Sequence, residues 1–199
     1  MRKYLLVFTI LALPIFSLMP STATAAQSFT DSNYKVSLNY SGLNMQTGIV
    51  STYIPVQSSL SDSTANLLTL YLKPSIYKGT NLEAAVFNLA VNKGYPDSTS
   101  CYNYYNSGDG QPVSFNKIRK VQGNSWHYAL PNPRGSAALG HSAATEMYRL
   151  YKNSSCYEVI LQISDFSRSN LDNPKSVQPY SEKKVFNRLG AVFNRLKVR

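Results

Sequence analysis

The stretch Thr80–Pro96, "TNLEAAVFNLAVNKGYP", decides how the rest of the chain is assembled. Thr80 and Glu83 have the spacing of a capping box, in which the Thr hydroxyl takes the amide proton of the third helical residue and the Glu reaches back. Leu82, Ala85, Val86 and Leu89 follow at i, i+3, i+4 and i+7, and Gly94, Tyr95 and Pro96 supply a stop. The pattern predicts a helix with one face packed on a sheet.

Three strands are expected before it. In "YKVSLNY" (34–40) Tyr34, Val36, Leu38 and Tyr40 alternate with polar residues, and "GIVSTYIPV" (48–56) and "LLTLYLKP" (67–74) are rich in β-branched and apolar residues. Beyond the helix, residues 112–130 predict two strands about the turn "VQGN", where Gly123 and Asn124 can take positive φ. Residues 146–164 predict a second hairpin with "KNSS" at its tip, and "PNPRGSAALG" (131–140) reads as a mobile loop between the two.

The chain closes on "SEKKVFNRLGAVFNRLKVR" (181–199), with Val185, Leu189, Val192 and Leu196 on one stripe and Ser181 as N-cap. A helix docked on the sheet is expected, fraying into a short strand at "LKVR", in preference to a basic helix lying on a membrane. The order β-β-β-α-β-β-β-β-α gives the fold class α+β, an antiparallel sheet with helices packed on it.

At the N-terminus, Arg2 and Lys3 precede an apolar run broken by Pro14, and Ala23, Thr24 and Ala25 form a small-residue cleavage site. Residues 1–25 are expected to be a signal peptide that is removed, leaving 26–199 as one domain that is periplasmic or secreted. No later segment approaches the roughly 20 apolar residues of a membrane-spanning helix. Without Arg2 and Lys3 the chain has 18 basic against 10 acidic side chains, a charge of +8 that favours anionic partners; the expected partner is another protein or an anionic envelope ligand, and not nucleic acid.

Cys101 and Cys156 in an exported chain predict one disulfide. Closing a loop of about 55 residues would stabilise the fold by roughly 4 kcal/mol in the chain-entropy model.

Little in the sequence points to catalysis. There is no GxSxG, HExxH, GxxxxGK[ST] or GxGxxG, and two histidines with two bridged cysteines are too few for zinc, so neither metal nor cofactor is expected. His127 alternates with Trp126 and Tyr128, and faces solvent or a covering helix if those rings face the core. His141 ends the loop and is the better functional candidate. Glu146, Glu158 and Asp165 could form a glycosidase-like carboxylate pair, although Glu146 and Glu158 read equally as a solvent face carrying Arg149.

Ligand-binding candidates are His141, Arg134, Tyr104 and Tyr105. Candidates for an anionic surface are Lys117, Arg119, Lys120, Arg188 and Arg195.

The segments "GTNLEAAVFNLAV", "VSFNKIRKVQGNSWHYAL" and "ALGHSAATEMYRLYKNSSCYEVILQI", with Cys101 and the closing helix, resemble a group of small exported bacterial proteins that is itself similar to the PsbP-like superfamily. The resemblance covers residues 67–199. It implies an antiparallel sheet with helices on its faces and an accessory or binding role, and it carries over no catalytic residue. The expected function is therefore a non-enzymatic binding or accessory protein of the exported compartment. The alternatives are a small hydrolase using His141 or a carboxylate pair, and a basic envelope protein that binds anionic surfaces.

Overall fold

A computed structural model describes residues 27–48, 56, 58–60, 63–105, 112–129, 134–136 and 140–199, with the backbone alone described at 104, 105, 112, 113 and 134. The leader expected over 1–25 and most of the strand expected at 48–56 lie outside the described residues. In chain order the elements are β1 (Ser28–Asp31), β2 (Val36–Asn39), β3 (Met45–Gln46), β4 (Ala65–Leu72), β5 (Leu82–Asn92), α1 (Ser98–Tyr102), β6 (Asn103–Tyr105), β7 (Pro112–Ser114), β8 (Lys117–Val121), β9 (Asn124–Tyr128), β10 (Arg134–Ser136), β11 (His141–Lys152), β12 (Ser155–Phe166), α2 (Glu182–Phe193) and β13 (Lys197–Val198).

The fold is β-rich, and the α+β expectation is corrected by its first helix. Residues 82–92 form β5, the centre of an antiparallel sheet of order β3-β4-β5-β12-β11-β9-β8, with β10 also paired to β11. From Ala84 to Asn92 every residue is buried, so both faces of the strand are covered. A near-continuous apolar run fits a helical stripe as well as a doubly buried strand, and here the flanking strands decide. The expected capping box is a turn instead: the Thr80 hydroxyl donates to the Tyr77 carbonyl, the Leu82 amide donates to that hydroxyl, and Glu83 turns to His141.

Other local expectations hold or shift by small amounts. The β8–β9 turn places Gln122 and Gly123, rather than Gly123 and Asn124, at positive φ (48° and 80°). Asn153 and Ser154 do the same between β11 and β12, whose ladder runs twelve pairs from His141↔Phe166 to Lys152↔Ser155. Within the expected mobile loop, Arg134–Ser136 is strand β10. Helix α1, missed in the sequence, starts at an Asp97 side chain that accepts from the Ser100 amide.

The two faces of the large sheet differ in chemistry. On one, Leu70, Leu72, Phe87, Leu89, Tyr157, Val159, Leu161, Ile163, Tyr148, Leu150 and Trp126 form the main core. Against it pack Val185, Leu189, Val192 and Phe193 of α2 and Val36, Leu38 and Val198 of a small sheet ordered β1-β2-β13. Ser181 accepts from the Lys184 amide as the expected N-cap, and the expected stripe Val185, Leu189, Val192 and Leu196 is buried.

The other face of β5, β12 and β11 is also buried and sets polar groups among Ala84, Val86, Ala90 and Ile160: Asn88, Asn92, Glu158, Gln162, Ser164 and Arg149 each have at most 5% of their surface exposed. Glu158 and Arg149 are not the solvent face expected from their sequence. Both are fully buried, with Arg149 Nε 2.9 Å from Glu158 Oε2. The Glu158 carboxylate also accepts from the Ser58 and Ser59 hydroxyls and the Ser59 amide, and Arg149 donates to the Cys101 carbonyl and the Ser59 hydroxyl. The pair therefore fastens residues 58–60 and α1 to the sheet. The expected disulfide, Cys101–Cys156, joins α1 to β12 beside it.

Candidate functional site

The structure disperses the residues that suggested catalysis. Glu146 lies on the α2 side of the sheet, where its carboxylate accepts from the Tyr148 hydroxyl at 2.7 Å. Glu158 lies on the opposite side with Arg149. Asp165 is on the α2 side, opposite Ser142, and accepts from the Ser142 hydroxyl at 2.6 Å and from the Tyr180 hydroxyl. Ser142 and Glu146 stand four strand residues apart, about 13 Å at the usual rise. Glycosidase carboxylates stand about 5 to 9.5 Å apart, so these three do not assemble such a pair.

His141 lies on the polar side, with Nδ1 2.8 Å from Glu83 Oε1. The two meet across β12 at a register shift between Ser164 and Asp165, which leaves Glu83 as the extra residue of β5. His127 stacks on Tyr102 with ring centroids 3.9 Å apart, and its Nδ1 is 3.2 Å from the Phe115 carbonyl. No group of three or more His, Cys, Asp or Glu placed to share a metal ion occurs among the described residues. Tyr104 and Tyr105 lie in β6, paired with β7, and Arg134 begins β10; their side chains are outside the described residues.

The cations named for an anionic surface part company as well. Arg119 leans over the Tyr148 and Phe193 rings and donates to the Tyr148 hydroxyl and to Asn194. Lys120 donates to Ser125, and Arg195 to the Ser41 carbonyl. Lys117 is exposed on β8. Arg188 is exposed on α2 and lines a groove.

Helix α2 lies over the sheet with a groove on each flank. The one toward β8 and β11, of about 280 Å³, holds Arg119, Glu146, Tyr148, Phe186, Asn187 and Asn194. Its guanidinium and carboxylate are already linked through the Tyr148 hydroxyl. Burial first, and then the Glu146 carboxylate, push that phenol well above its ordinary value, against a smaller opposing pull from Arg119.

A phenol raised in the folded state gives stability that is complete below the unfolded pKa, about 10 for tyrosine, and lost as the pH climbs toward the folded value. An alkaline titration followed by ultraviolet absorbance checks this against the value of about 10 for a free tyrosine side chain. Tyr148 should ionise later, in step with unfolding, and Tyr148→Phe should remove part of that late phase.

The opposite flank is chemically one-sided. A depression of about 260 Å³ lies between the first half of α2 and the end of the sheet, its floor made by Leu72, Leu82 and Val185 and its walls by Ile76, Tyr77 and Tyr180. A second, of about 270 Å³, shares Tyr77, Thr80 and Leu82 with it and runs under the turn from Pro74 to Gly79. These two adjoining depressions are the trough: Lys184 and Arg188 line the first and Lys78 the second, and no carboxylate is among the described residues that line either.

The walls are held from below. Tyr77 donates to the Glu83 carbonyl and Tyr180 to Asp165, while the Asn81 side chain accepts from the Tyr180 amide and donates to the Phe166 carbonyl. Burial raises the Tyr77 phenol above its ordinary value, so this wall stays uncharged at neutral pH. Arg188 was legible in the sequence as an exposed cation. Ile76, Tyr77 and Lys78 were missed, their one signal being an isoleucine stranded in the polar turn "KPSIYKGT".

No family model, curated protein or solved structure matches this chain.

Proposed function

We propose that the protein is an exported, non-enzymatic binding protein that takes its ligand in the trough beside the first half of α2. The observation that carries this reading is the trough itself, with an apolar floor, two tyrosine walls fixed by hydrogen bonds, and an open mouth. A concave, mostly apolar site with a few convergent polar groups is the usual form of a small-ligand site. Ile76 is 37% exposed in that wall, and Ile118 is the other large apolar side chain so exposed among the described residues. The expected leader and the Cys101–Cys156 bridge support the exported location.

The reading separates two residues experimentally. Compounds that raise the melting temperature of the wild type by binding the native state should lose that effect in Ile76→Asp and keep it in His141→Ala. Hydrolysis of simple nitrophenyl esters by the purified protein, abolished by His141→Ala with the melting temperature unchanged, would instead support the hydrolase.

A further inference from the structure

Resting on the reading of the trough as the binding site, we infer that its ligand class is the free, single-chain amphiphilic anion: a carboxylate or similar monoanionic head on a short alkyl chain. Two sets of groups, arranged in layers, lead to this. The floor is apolar: Leu72, Leu82 and Val185 line it, are 1%, 4% and 7% exposed, and offer a tail no side-chain polar partner. Ile76 extends the same apolar surface to the mouth, where it is left in water when nothing covers it.

The rim is cationic. Lys184 and Arg188 stand one helical turn apart on α2 and line the first depression, and Lys78 lines the adjoining one. Long basic side chains lay their methylene stems on apolar surface while their heads stay in water, which puts the charge at the height of a head group and not of a tail. Among the described residues neither Lys184 nor Arg188 donates a side-chain hydrogen bond, in contrast to Arg119, Lys120 and Arg195, which are engaged elsewhere. Ser181 and Lys184 belong to the start of α2, where the helix dipole favours an anion and the Glu182 carboxylate of the same turn opposes it.

A neutral amphiphile would leave the cations unused, and a cationic one would be repelled by three of them. An inorganic anion would leave the apolar floor wet. The size of the trough suits one short chain and not the two chains of a bilayer lipid.

Calorimetric titration of the mature protein with octanoate, octyl glucoside, octylammonium and inorganic phosphate tests this, with phosphatidylglycerol vesicles as a separate arm. Octanoate should bind about tenfold or more tightly than octyl glucoside, the difference expected of a charge-assisted hydrogen bond. Octylammonium and phosphate should not bind measurably, and added salt should weaken octanoate alone. The Lys184→Ala/Arg188→Ala variant should bring octanoate down to the level of octyl glucoside and leave octyl glucoside unchanged; both side chains are exposed, and the melting temperature checks that the fold is kept.

Equal affinity for octanoate and octyl glucoside would overturn the ligand class while leaving the binding reading in place. Phosphate binding as tight as octanoate would also overturn the class. Binding to phosphatidylglycerol vesicles without binding of dissolved octanoate would assign the basic rim to a membrane surface and overturn the proposal. Failure of every octyl compound to bind would remove the class and the trough reading together.

Discussion

Glu158→Ala should lower the stability of the fold by about 3 to 5 kcal/mol, the range for breaking a fully buried ion pair from one side. The reason lies in what is left behind. Arg149 is entirely enclosed, and its guanidinium, which also donates to the Cys101 carbonyl and the Ser59 hydroxyl, loses the Glu158 carboxylate. The Ser58 hydroxyl and the Ser59 amide lose their acceptor in the same step, so the segment 58–60 should loosen with it.

Arg149→Met should cost a similar amount by stranding the carboxylate. Arg149→Met with Glu158→Leu should recover much of the loss, because apolar residues of similar volume often replace such pairs at little cost. Urea denaturation of the two single variants and the double variant checks this. Singles that cost under about 1 kcal/mol would mean that the pair is solvated like a surface bridge.

Removing the disulfide by Cys101→Ala with Cys156→Ala should cost about 2 to 5 kcal/mol. The bridge closes a separation of 55 residues and anchors α1, whose Cys101 carbonyl is also an Arg149 acceptor. The two features share a partner, so their losses should not add. A cycle combining the cysteine change with Arg149→Met should show a coupling of about 0.5 to 3 kcal/mol. Strict additivity would show that α1 is held by each independently.

How much of this was legible depended on whether one element or several had to be known. The closing helix could be read from its residues because a cap, a single apolar stripe and a charged back agree on one structure. The hairpin of β11 and β12 was legible for the same reason, since alternation and turn residues coincide.

Residues 82–92 misled because they are apolar at almost every position. Leu82, Ala85, Val86 and Leu89 make a helical stripe only if Phe87, Ala90 and Val91 are overlooked, and all of these are buried in the strand. The β-branched and aromatic trio Val86, Phe87 and Val91 was the available counter-signal. Arg149 and Glu158 look like surface residues in any sequence reading. Their burial follows from β12 lying between β5 and β11, which no local pattern encodes.

The trough has the same character. Its floor comes from β4, β5 and α2 and its walls from residues 74–80 and 179–181, so of its lining only Arg188 could be seen beforehand.

Hydrogen exchange of the protein with and without saturating octanoate bears most directly on the central claim, that the trough beside α2 is the binding site. Slower exchange is predicted for the amides of residues 75–80 and 180–188, with the sheet edge at β8 and the start of β11 unchanged. Protection centred on His141, or no change in residues 75–80 and 180–188 at saturation, would contradict it.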